Sequence, residues 1–137
     1  DVTGDGAVDV QDRLAQNETL ADVKARELRN TLETVLGDLA VAREELDKAC
    51  RRIANVETLL EDDPIWTEIL VEQVAERDAA RAALTEAEAR LARLEVPPDL
   101  ARELRGDLAR RRAELETMPA DFEEDRRICD RMIAALA

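Results

Sequence analysis

Apolar residues recur in steps of four and three along most of this chain. The first run passes through Ala21, Ala25, Leu28, Leu32, Val35, Leu39, Ala42, Leu46, Ala49, Ile53, Val56 and Leu60. A second run follows Pro64, through Trp66, Leu70, Gln73, Arg77, Ala80, Leu84, Ala87, Leu91 and Leu94. A mean step of about 3.5 residues keeps one seam turned toward a partner helix, the sequence mark of a coiled coil. Only residues 61–65 separate the two runs. The pattern therefore predicts a tight reversal and an antiparallel helical hairpin, with Leu60 near Trp66.

Boundary residues refine these helices. Thr19-Leu20-Ala21-Asp22 is similar to a capping box, with Asp in place of Glu, and places the first helix start near Thr19 and its end near Glu61. Asp63 is suited to cap the next helix, and Pro64 to its first position, where a missing N–H costs nothing. That helix should end near Glu95, because the residue before a proline is pushed out of the helical region, here at Val96-Pro97-Pro98. Two shorter amphipathic helices are predicted, over about 99–118 with Leu100, Leu104, Leu108 and Leu115, and about 120–135 with Phe122, Ile128, Met132 and Ile133. Helices this short are marginal alone in water, so they should pack across the open end of the hairpin. No strand pattern is present. The expectation is an all-α chain in three parts: an acidic terminus at 1–18, a coiled-coil hairpin at 19–96, and two closing helices at 97–137.

Composition supports long exposed helices over a globular core. Of 137 residues 39% are charged, and aromatics are limited to one Phe and one Trp. Burial must then come from thin Leu/Ala/Val seams. The net charge of -13 opposes a grip on nucleic acid or an anionic membrane surface. No stretch approaches the roughly 20 apolar residues of a membrane span. Cys50 and Cys129 have no metal-ligand spacing, and two lone thiols point to a reducing, cytoplasmic setting.

The chain contains no His, Ser or Tyr, which removes the commonest general base and hydroxyl nucleophile and argues against an enzyme. Its carboxylates alternate with arginines at helical spacing and read as solvated faces, as do Arg110-Arg111-Arg112. Asn17-Glu18-Thr19 matches a glycosylation sequon by letter only, a triplet common by chance. Gln73 and Arg77 fall in the second seam, where they either fix register or make the helix rotate to bury Ile69 and Val74. Leu59, Leu60, Ile65 and Trp66 form an apolar cluster at the reversal. That cluster either caps the hairpin's own core or offers a contact patch, since exposed apolar clusters mark interaction sites.

Asp1 to Asp12 carries the one ligand-like motif. Asp1, Thr3, Asp5, Asp9 and Asp12 would supply side-chain oxygens and Ala7 its carbonyl, with Gly6 at the turn, the order of an EF-hand calcium loop. This segment resembles dockerin repeats and related bacterial EF-hand-like loops. It departs from them at Thr3, at the shorter Asp12, and in having no second loop. The plainer reading is an acidic, glycine-containing terminus that fits by composition. The resemblance implies weak calcium binding.

Leu46-Asp47-Lys48-Ala49-Cys50-Arg51-Arg52-Ile53-Ala54-Asn55-Val56-Glu57 is followed by an acidic turn, the return helix through Leu84 to Leu94, Pro97-Pro98 and an Arg-rich helix. Over about residues 40–116 this order resembles the carboxy-terminal coiled-coil region of large serine recombinases. The turn Asp62-Asp63-Pro64 departs from that family's Gly-rich stretch, and no recombinase catalytic domain or zinc ribbon is present in these residues. The resemblance implies a non-catalytic arm that pairs with a like arm or a directionality partner to control synapsis. The expected function is a protein–protein interaction module, acting through a protein partner or self-association. The alternative is an extracytoplasmic bacterial spacer or adhesion stalk with a calcium-stapled terminus.

Overall fold

The computed structural model describes the backbone of residues 2–137 and the side chains of residues 19–137. The protein is all-α: helices α1 (Val2–Asp62), α2 (Thr67–Arg93), α3 (Pro98–Glu116) and α4 (Glu123–Ala135), with no strand among the described residues. Short 3₁₀ turns at Pro64–Trp66 and Ala120–Phe122 lead into α2 and α4. α1 starts at Val2, ahead of the Thr19 start that the capping pattern suggested. The candidate calcium ligands Asp1, Thr3, Asp5, Ala7, Asp9 and Asp12 lie outside the residues whose side chains are described.

The chain divides into two units, Asp1–Thr31 and Leu32–Ala137. In the first, Ala21 and Ala25 are exposed and Leu28 is half-buried. The second holds the core.

Within that second unit α1 and α2 run antiparallel. Asp38 pairs with Arg90 at 3.1 Å and Arg52 with Glu76 at 3.6 Å, so numbers rise on one helix as they fall on the other. Leu39, Ala42, Leu84 and Ala87 bury one another along this seam. α3 and α4 are antiparallel as well, joined by Arg112–Asp130 at 2.9 Å and by the Arg126 guanidinium donating to the Leu115 carbonyl at 2.7 Å. That last bond places a cation at the C-terminus of α3, on a carbonyl that also accepts from the Met118 amide at 3.1 Å.

α1 joins the two pairs because it carries two stripes. Val35, Leu39, Ala42, Ala49, Ile53 and Val56 are the buried residues of the α2 seam. Leu32, Leu36 and Ala40, each four residues apart, form a second row buried against Leu104, Leu108 and Met132. Leu91 and Ala135 pack on both clusters and knit them into one core. Residues four apart stack on one helix face, which is why a second row can coexist with a seven-residue seam.

A Cβ added to Gly37 meets no atom within 4 Å. Gly37→Ala should therefore stabilise the protein by about 0.5–1 kcal/mol, since a mid-helix glycine carries excess backbone entropy. Leu36→Ala should destabilise it by about 2–5 kcal/mol, because Leu36 is wholly buried. Urea unfolding of both variants checks this, and equal effects would contradict the packing described.

Candidate interaction surface

The second row of α1 turns from apolar to charged at Glu44. Its carboxylate is 1% exposed, and accepts from the Arg127 guanidinium at 2.7 Å and the Arg131 guanidinium at 3.2 Å. Arg131 also pairs with Asp47, and Lys48 donates to Glu124 at 2.7 Å. Burial pushes the Glu44 carboxyl up, but Arg127 and then Arg131 outweigh it and hold the group below its ordinary value of 4.5. This cluster locks α4 onto α1. It is satisfied internally and leaves little for a ligand.

α4 begins at Glu123, and its second residue, Glu124, is the one that reaches Lys48. Beyond Lys48, among the described residues, α1 and α2 form a two-helix arm roughly 20 Å long at 1.5 Å rise per residue. Burial thins along it to Ala49, Ile53 and Val56 on α1, and α2 has no buried residue before Ala80. Opposite Ile53 and Val56 stand Gln73 and Arg77, both half-buried, and the buried Gln73 Oε1 lacks a hydrogen-bond partner. Ile69 stays 38% exposed. Val74 is half-buried like Gln73 and Arg77, so polar and apolar positions share the seam here.

At the tip the Asp63 side chain accepts from the Ile65 amide at 3.0 Å, and Pro64 occupies the first position of the turn, as the sequence suggested. The four expected contact residues divide. Leu60 and Trp66 are half-buried and close the arm, whereas Leu59 is 41% and Ile65 72% exposed.

Ile69 belongs with the exposed pair, a position that the apolar seam alone does not single out. Asp38 faces Arg90, Glu45 and Ala83 line one groove, and Arg52 faces Glu76. Each step advances seven residues on both helices, so the next pair on the same flank is Leu59 and Ile69. A flank that carries two ion pairs, Asp38–Arg90 and Arg52–Glu76, gives way to aliphatic side chains at the tip. The signal was present in the sequence as a flanking heptad position, visible once the register is known.

Charge at the tip is one-sided. Residues 57–78 contain eight acidic residues and one basic residue, Arg77. Glu61 and Asp62 occupy the last turn of α1, which has no basic residue. Negative charge there opposes the helix dipole.

Cys50 is exposed and Cys129 buried, and burial pushes the Cys129 thiol up. Among the described residues no three His, Cys, Asp or Glu side chains are grouped to hold a metal ion. No helix among them is long and apolar enough to cross a membrane. Comparison with known proteins returns nothing: no family model, curated protein or solved structure matches the chain.

The Glu44 cluster makes two expectations. Removing both arginines, in Arg127→Ala/Arg131→Ala, strands a buried carboxylate and should cost about 3–5 kcal/mol, whereas Glu44→Met should cost less because freed guanidiniums return to water. A carboxyl whose folded pKa is depressed stabilises fully above its unfolded value and loses that contribution as pH falls through the folded one. Urea stability measured from pH 7 to pH 3 should therefore decline less steeply for Glu44→Gln than for the parent. Parallel curves would remove Glu44 from the acid response.

Proposed function

We propose that this chain is a non-catalytic interaction module that presents the tip of its two-helix arm to another protein. The observation that carries the reading is the exposed aliphatic group Leu59, Ile65 and Ile69, at the end of an arm whose own seam is thin. Exposed apolar clusters mark sites of association. Lack of His, Ser and Tyr supports a role without catalysis. The likeness to the carboxy-terminal arm of large serine recombinases offers one setting, in which such an arm controls synapsis by pairing with a like arm or a directionality partner.

A photo-reactive residue placed at Ile65, in cells of the source organism, should crosslink to a discrete protein partner. The same residue at Arg102, an exposed position on α3, should not. Leu59→Asp/Ile69→Asp should abolish the adduct while leaving helix content and unfolding midpoint close to those of the parent. Equal crosslinking at both positions, or an adduct that survives the double substitution, would refute the reading.

A further inference from the structure

We infer that the arm tip docks onto a basic-rimmed apolar protein surface, and not onto a second copy of this chain. This inference rests on the docking reading above and adds the chemistry of the partner.

Three observations point there. Counting one heptad on from the Arg52–Glu76 pair puts Leu59 and Ile69 at corresponding positions on the same flank of the arm, 41% and 38% exposed, and Ile65, in the reversal between the helices, is 72% exposed. Their setting is acidic, with a surplus of seven negative charges over residues 57–78, more than half of the whole chain's -13. Two such tips brought together would juxtapose like charges, which disfavours a second copy as the occupant. Finally, Glu61 and Asp62 stand at the wrong end of α1 for its dipole, with no basic residue in that turn to offset them. A helix that breaks a local stability rule at an exposed tip marks a position kept for something other than folding. Lysines and arginines around an apolar centre complement this pattern, with the aliphatic side chains supplying contact and the charges steering approach.

The probes are two designed amphipathic helical peptides, one Leu/Lys and one Leu/Glu, each titrated into the full isotope-labelled chain and followed by amide chemical shifts. The Leu/Lys peptide should shift residues around Leu59, Ile65 and Ile69, and the Leu/Glu peptide should not bind. Glu61→Gln/Asp62→Asn should weaken Leu/Lys binding roughly tenfold, and so should raising the salt from about 0.05 M to about 0.5 M. The same double variant should unfold at an equal or higher temperature, since it removes charges that oppose the helix dipole. Ile65→Ser should abolish binding without altering the fold.

Failures separate cleanly. If the Leu/Glu peptide binds as well, or the neutralised variant binds unchanged while Ile65→Ser still abolishes binding, the partner chemistry is wrong and tip docking stands. Binding that shifts other residues and ignores Ile65→Ser overturns tip docking itself. No binding of the Leu/Lys peptide overturns the inference. Concentration-dependent shifts at the tip without any peptide would make a second copy the occupant and overturn it too.

Discussion

Helix α1 must bury two stripes at once, and the second unit of the protein is arranged around that requirement. One stripe follows a seven-residue repeat and needs a single partner helix lying alongside. The other steps by four through Leu32, Leu36 and Ala40 and needs cover from a different direction. α2 meets the first, and the α3–α4 pair meets the second. With almost no aromatic residues, neither layer is thick. Leu91 and Ala135, touching both clusters, are what turn two thin seams into one core.

The charged continuation of the second stripe sets where that core stops. Glu44 is the last wholly buried member of the row, and its two arginines and the neighbouring Lys48–Glu124 pair replace apolar contact with directional bonds. Such a cluster contributes less to net stability than an apolar layer would, because desolvation offsets attraction. It specifies which face of α4 meets α1. Past it, among the described residues, α1 buries Ala49, Ile53 and Val56, while Gln73 and Arg77 of α2 are half-buried.

The α1–α2 pair so built has one side taken over its first part and one side open along its length. α3 and α4 cover the flank that carries Leu36 and Ala40, leaving free the flank that carries Asp38, Glu45, Arg52 and Leu59. Two ion pairs on that free flank, Asp38–Arg90 and Arg52–Glu76, keep it compatible with water. At the tip the same flank turns aliphatic within an acidic surround, so surface and charge change character together over a few residues.

Much of this organisation is legible without coordinates. The seam of α2 is set by period alone: every position from Trp66 to Leu94 in the four-and-three register is buried or half-buried. Pro64, Pro97 and Pro119 mark the helix breaks because a proline ring constrains its own backbone and that of the residue before it. Asp63 caps the 3₁₀ turn that leads into the return helix by short-range geometry. These are local effects, and local sequence carries them. What required the tertiary structure were choices between faces. Leu36 and Val41 are both aliphatic positions flanking the same seam, yet one is wholly buried and the other 44% exposed. Glu44 is one carboxylate among many on α1, but among the described residues it is the one beneath two arginines more than eighty residues away. Ile69 joins Leu59 only through the register of two antiparallel helices. Periodicity fixes the angle of a side chain about its own helix axis, whereas burial depends on which neighbour occupies that angle, and distant segments of the chain settle that.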